Sequence, residues 1–164
     1  MMQRVKPRRG QESVWDYPRP PALEATDRRI RITHAGVLVA DTTRAWRVLE
    51  TSHPPVYFIP PVDVRTEHLA CDSEASSFCE WKGRAVYYDL VLPDERLPRV
   101  AFAYPRPTRR FAPIAGYLAF YASPLDLCTV DDVRVTPQPG SFYAGWITDD
   151  VVGPFKGEPG TMGW

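Results

Sequence analysis

Five consecutive residues, Cys79-Glu80-Trp81-Lys82-Gly83, bring together the types most able to do chemistry in this chain. An ammonium three residues from a thiol favours the thiolate, which makes either a nucleophile or an anion site. Gly83 would let the backbone approach a ligand closely. The plainer assignment of the same string is a buried small thiol with an exposed lysine at a strand entry. Glu50 is the second candidate. It closes an apolar stretch and precedes Thr51-Ser52-His53-Pro54, so a turn inward would make it a general base or a hydrogen-bond acceptor for a ligand. Its competing role, which we favour, is an ion pair with one of the basic residues after position 31. Glu50, Cys79 and Lys82 form the candidate catalytic set, with Glu50 as base, Lys82 stabilising negative charge and Cys79 nucleophilic or structural.

Rings supply a binding alternative. Trp81, Tyr87, Tyr104 and Trp146 fall at expected strand ends or loops, where a cage would stack a base, a heterocycle or a cation. Trp81, Gly83, Tyr87 and Tyr104 are the candidate ligand-binding residues, although any single ring in a β-domain is more often core. Lys82, Arg84, Arg106, Arg109 and Arg110 are available for phosphate. Metal is not expected: the three cysteines lack C-x-x-C spacing. Asp131-Asp132 and Asp149-Asp150 are adjacent pairs, whose side chains leave a strand on opposite faces. His34, His53 and His68 read as solvated, and Asp63 as a cap for a short helix. A triad assembled from Ser52, His53 and some aspartate carries no weight, and no particular cofactor is implied.

The elements that position these residues follow from composition and pattern. The chain has 164 residues, 44% hydrophobic and 24% charged, which suits one soluble domain. Its 20 basic and 20 acidic residues cancel, so no global field draws it to duplex nucleic acid or anionic lipid. Eighteen prolines, about twice the usual share of about 5%, exclude an all-helical bundle. No spanning segment and no secretory leader are expected, and three thiols suit a cytoplasmic protein.

Alternation predicts strands at Arg29–Thr33, Val37–Ala40, Val56–Ile59, Arg84–Leu92, Pro98–Tyr104 and Tyr117–Tyr121, with a weaker one at Thr43–Glu50. The Pro-Pro pairs around Val56–Ile59 favour a sheet edge. Val62–Leu69 reads as a single helical stretch begun by Pro61. Turns are expected at Pro93-Asp94-Glu95-Arg96 and Asp131-Asp132. Residues 1–28 read as a proline-rich arm that Trp15 and Tyr17 anchor to the domain or that trails from it. Residues 29–164 form one domain, with a glycine- and aromatic-rich wrap from about 140. The fold class is mostly β, with antiparallel sheets in a tent-like or open barrel-like arrangement and one or two short helices.

Longer strings add a resemblance. Glu12-Ser13-Val14-Trp15-Asp16-Tyr17-Pro18-Arg19-Pro20-Pro21, Leu49-Glu50-Thr51-Ser52-His53-Pro54-Pro55-Val56-Tyr57, Cys79-Glu80-Trp81-Lys82-Gly83 and Ala119-Phe120-Tyr121 carry it. So do Gly145-Trp146-Ile147-Thr148 and Gly153-Pro154-Phe155-Lys156-Gly157. From about Gln11 to Trp164 the chain resembles domain-of-unknown-function family 427, a bacterial and fungal family also labelled a nucleotidyltransferase-type domain. The resemblance implies a tent-like set of antiparallel sheets, similar to domains that carry a zinc knuckle or bind small ligands in a groove. The cysteine pairs of the zinc-bearing relatives are missing here. The transferase label implies carboxylates around Mg²⁺, but neither a Gly-Ser-x-x-x-Asp-x-Asp string nor a G-x-x-x-x-G-K-[ST] loop is present.

The expectation is therefore a small-molecule site, for a nucleotide among other ligands, beside the Cys79–Gly83 loop, used for binding or transfer. A non-catalytic ligand- or peptide-binding module with an aromatic groove is the alternative. The two divide on whether Glu50, Cys79 and Lys82 meet in one concave pocket.

Overall fold

A computed structural model describes residues 2–164. In chain order the strands are β1 (Glu12–Ser13), β2 (Ala22–Ala25), β3 (Ile30–His34), β4 (Val37–Thr42), β5 (Trp46–Leu49), β6 (Val56–Phe58), β7 (Leu69–Cys79) and β8 (Gly83–Leu92). They continue as β9 (Glu95–Ala103), β10 (Leu118–Phe120), β11 (Leu127–Val130), β12 (Val133–Arg134), β13 (Thr136–Pro137), β14 (Trp146–Ile147) and β15 (Val151–Val152). The sheets run β10-β9-β8-β7, β12-β11-β3-β4 and β2-β5-β6, with two small ribbons, β13-β14 and β1-β15. All pairings are antiparallel except β1-β15. The fold is mostly β in several antiparallel sheets, with no closed barrel.

Helical structure is confined to short 3-10 turns. Val62–Leu69 does not make one helix. Pro61–Asp63 and Thr66–His68 are separate turns, and of the two residues between them Arg65 gives its N–H to Val39 O at 2.8 Å. That bond ties the segment to β4 and interrupts helix propagation. Asp63 does not cap; its carboxylate accepts from Thr42 Oγ1 and Arg44. The Val56–Phe58 strand does stand at the end of its sheet, yet Ile59 just beyond it exchanges two backbone hydrogen bonds with Leu118, 2.8 and 2.9 Å. This bridge joins two sheets edge to edge.

Side-chain alternation along β8 and β9 is what gives the long sheet two apolar faces. Val86, Tyr88, Leu90 and Leu92 pack into one cluster with Ala101, Ala103, Leu118 and Phe120. Ala85, Tyr87, Phe102, Tyr104 and Ala119 face the opposite way. Pro98 is tolerated inside β9 because a bulge follows it. Arg99 has φ 51°, and the buried Asp89 carboxylate accepts from Arg99 N at 2.8 Å and from Arg96 at 2.9 Å.

Two expectations about buried polar residues are corrected. His34 is buried at the end of β3, hydrogen-bonded to Glu95 Oε2 at 2.9 Å and accepting from Asp126 N. Trp146 is core, 1% exposed, with Nε1 donating to Phe120 O at 2.9 Å; an indole this deep stacks no ligand.

The 1–28 segment is partly sheet, since Ala22–Ala25 pairs with β5. Ahead of it, β1 pairs with β15, Trp15 Nε1 donates to Pro154 O at 2.9 Å, and Trp15 meets Trp164 edge-on at 5.2 Å. Arg47, 9% exposed at its side chain, ties Glu12 and Glu24 to the sheet at 2.6 and 2.7 Å. The N-terminal segment thus clamps the C-terminal wrap. No helix among the described residues is long and apolar enough to cross a membrane.

Candidate functional site

A cleft of about 440 Å³ opens on the aromatic face of the β7–β10 sheet. Register builds its floor: Tyr87 on β8 stands opposite Phe102 on β9, and Ala119 on β10 is opposite Phe102 on the other side. The small alanine leaves room for ring packing. Phe102 is the hub, 5.6 Å from Tyr121, 5.9 Å from Tyr87 and 6.0 Å from Phe58 by ring centroid, all in tilted or edge-on geometries that aromatic quadrupoles favour. The remaining walls are loops: Glu50 and His53 after β5, Glu80–Lys82 between β7 and β8, Phe142–Ala144 before β14, and Lys156 near the C-terminus.

Of the residues singled out in the sequence, Glu50, Cys79, Trp81, Lys82, Tyr87 and Tyr104 line this cleft together. Gly83 does not. Its φ of +105° closes the hairpin, and a Cβ there would meet Arg106 O at 3.4 Å. The close approach that glycine permits is thus to the Arg106–Thr108 segment, which holds the loop through Thr108 Oγ1 to Trp81 O, 2.7 Å, and Thr108 N to Lys82 O, 3.1 Å. Arg84, Arg106, Arg109 and Arg110 also lie outside the lining.

No hydrogen bond joins Lys82 to Cys79 among the described residues, although both line the cleft. The Lys82 ammonium lies over the Tyr104 ring, 5.7 Å from its centroid, and no hydrogen bond reaches Cys79 Sγ among the described residues. Glu50 is salt-bridged at 3.1 Å, but to Arg19 of the N-terminal segment rather than to a base after position 31. It faces the cleft all the same, with Oε2 engaged by Arg19. Burial drives the Tyr104 phenol far above its ordinary range, so it stays a neutral hydroxyl in the cleft.

His53, expected in solvent, is buried beside the cleft. Its Nδ1 is 3.0 Å from Gln138 Nε2, its Nε2 is 3.6 Å from Glu50 Oε2, and its ring meets Tyr143 edge-on at 4.7 Å. Burial pushes the imidazole down to about 4; Lys156, Arg19 and Lys82 add to the effect and Glu50 opposes it. The ring is therefore neutral at pH 7. Ser52 is fully buried and its Oγ has no hydrogen-bond partner, so it forms no triad with His53.

Two cations dominate the electrostatics. Lys82 and Lys156 are half-buried, and neither has an Asp or Glu side chain within ion-pair distance among the described residues. Lys156 sits over Tyr143 at 5.5 Å and donates to Trp164 O at 3.2 Å. The only unpaired carboxylate in the lining is Glu80, exposed at the rim. His53, Gln138, Tyr121, Tyr143 and Lys156 were not picked out from the sequence as site residues. His53, Tyr121 and Lys156 lie inside strings that carry the family resemblance, the one signal that pointed at them.

Among the described residues no three His, Cys, Asp or Glu side chains converge. Arg28 bonds both Asp131 and Asp150, at 2.9 and 2.7 Å, as Arg47 bonds Glu12 and Glu24, so these carboxylates are committed to guanidinium groups. The residues present do not fit the Mg²⁺ centre that nucleotide transfer uses.

Comparison with curated proteins yields no match to this chain. Residues 22–131, two thirds of the chain, match the family described as a domain of unknown function (DUF427). The matched span holds Glu50, His53, the Cys79–Lys82 loop and the aromatic floor; Gln138, Phe142–Ala144 and Lys156 lie beyond it. On that match the chain belongs to domain-of-unknown-function family 427.

Proposed function

We propose that this protein binds a small molecule that lays a flat ring on the aromatic floor and presents an anionic group to Lys82 and Lys156; a mononucleotide is one member of that class. The observation that carries the reading is the pair of half-buried ammonium groups, neither with an Asp or Glu partner among the described residues, facing a cluster of rings. A half-buried ammonium without a side-chain carboxylate partner has charge left to offer, and an anionic ligand would supply the charge-assisted hydrogen bond it lacks. A cationic ligand is disfavoured, because the Tyr104 and Tyr143 rings already carry resident ammonium groups. The cleft volume lies within the usual range for small-molecule sites.

Binding is favoured over group transfer by the state of the would-be catalytic residues. Glu50 is held by Arg19, and Cys79 has no hydrogen-bonded base. We place the protein in the cytoplasm on the chemistry of its thiols, since Cys71, Cys79 and Cys128 are all unpaired.

Thermal unfolding with phenyl phosphate, mononucleotides and phenyltrimethylammonium tests the reading on wild type, Lys82→Ala and Lys156→Ala. A ligand at about 100 times its dissociation constant adds roughly 2.7 kcal/mol, and each kcal/mol raises Tm by about 2–4 °C in a chain of this size. The expected result is a rise of about 5–10 °C with an aromatic anion, reduced in both variants. A shift with the cation alone, or equal shifts in wild type and both variants, overturns the proposal.

A further inference from the structure

The hydrogen-bonding of Gln138 determines which edge of a ligand this cleft can read. Gln138 is 3% exposed, and its amide is oriented by two backbone groups of fixed polarity. Gly145 N–H can only donate, so the oxygen Oε1 faces it at 3.0 Å. The Lys156 carbonyl can only accept, so the nitrogen Nε2 faces it at 2.9 Å. A flipped amide would set two donors against each other at Gly145 and two acceptors at Lys156. Glycine at 145 is what admits this packing, since a Cβ would fall 2.5 Å from Gln138 Oε1 and 2.6 Å from Pro54 Cγ.

The second amide hydrogen of Gln138 points to His53 Nδ1, 3.0 Å away, which must accept it. In a neutral imidazole the proton is then on Nε2. That N–H has no hydrogen-bond acceptor among the described residues: the nearest carboxylate oxygen, Glu50 Oε2, is 3.6 Å off and engaged by Arg19. Glu50 Oε1 accepts from no donor among the described residues. The cleft therefore presents one donor and one acceptor side by side, on two loop residues three apart, at the wall of an aromatic floor.

We infer that His53 Nε2–H and the Glu50 carboxylate together recognise a ring carbonyl adjacent to a ring N–H, the lactam edge found in uracil, in hypoxanthine and in cyclic imides. The inference rests on the binding reading above and narrows it. The carbonyl accepts from His53, the ring N–H donates to Glu50, the ring lies on the Phe102 cluster, and the anionic tail reaches the lysines. Gln138 is a positioning residue, acting only through the His53 tautomer.

Two measurements on the full chain test this. Long-range ¹H–¹⁵N spectra of the His53 ring at pH 7 should show a protonated Nε2 and a bare Nδ1; a protonated Nδ1 overturns the inference without reference to any ligand. Titration with uridine monophosphate and inosine monophosphate, against their ring-N-methylated analogues and phenyl phosphate, tests the recognition. Methylation deletes the donor to a charged acceptor, so affinity should fall about tenfold or more. Parent and methylated nucleotides binding equally, or phenyl phosphate binding while both nucleotides fail, overturns the lactam inference and leaves the cleft reading standing. Failure of every compound overturns both.

Discussion

His53 should make this protein acid-sensitive in a window where most of its ion pairs are still intact. Burial holds the folded imidazole at about 4, against an ordinary value of 6.5. An unfolded chain therefore takes up this proton first. Stability from the neutral ring is complete above about pH 6.5, drains as pH falls toward 4, and loses nothing more below that. With these two values the loss is about 2 kcal/mol at pH 5 and about 3 kcal/mol at pH 4, a substantial part of a total of roughly 5–15 kcal/mol. The perturbation that isolates it is His53→Asn, whose Oδ1 can replace Nδ1 as the acceptor for Gln138 but does not titrate. Urea unfolding of wild type and variant at pH 7.5, 6, 5 and 4.5 gives the difference curve directly. Carboxylates that sit low through partnership with arginine, such as Asp41, Asp63 and Asp131, are common to both proteins and cancel. The wild type should lose about 2 kcal/mol more than the variant between pH 7.5 and 5. Parallel curves would refute the reasoning, because they would mean the ring is not held neutral by burial among Lys156, Arg19 and Lys82.

Two further outcomes follow from packing. Gly157→Ala should cost more than about 3 kcal/mol, because φ is +135° and the new Cβ would overlap the Pro139 carbonyl; urea denaturation reads the loss, and a cost under 1 kcal/mol would contradict the contact. Trp146→Phe should cost about 1–3 kcal/mol through the unsatisfied Phe120 carbonyl and a smaller ring. It should leave ligand affinity within about twofold, since Trp146 is core and outside the cleft; a large affinity loss with intact fold, read by calorimetry, would return this residue to the site.

The strands were legible where alternation ran long. Arg84–Leu92 sorts into two faces by residue parity, and the structure keeps that sorting in its two apolar clusters. Tyr87 and Tyr104 could be put forward as site residues for the same reason. The helix over Val62–Leu69 failed because the competing bond, from Arg65 to β4, belongs to a residue 26 positions away. The histidines failed likewise. Nothing local to His34 or His53 announces Glu95, Asp126 or Gln138 as partners.

Local physical chemistry determined a proline-punctuated, mostly antiparallel β chain, its Asp131-Asp132 turn, the β8–β9 hairpin through Pro93–Arg96 and the Cys79–Gly83 loop ahead of β8, but not the long strand β7. Those features depend on backbone sterics, turn residues and a period of two, all of which act over a few residues. Tertiary structure alone decided that Glu50, Lys82, Gln138 and Lys156 share one cleft. It also decided that Arg19 occupies Glu50, that Trp146 is buried while Trp81 is not, and that His53 Nδ1 meets the Gln138 amide nitrogen. Alternation says which side chains share a face, but which loop closes over that face depends on pairings between distant residues, such as His53 with Gln138, 85 positions apart. Such pairings are chosen by packing and by the partners that buried polar groups find, not by local propensity.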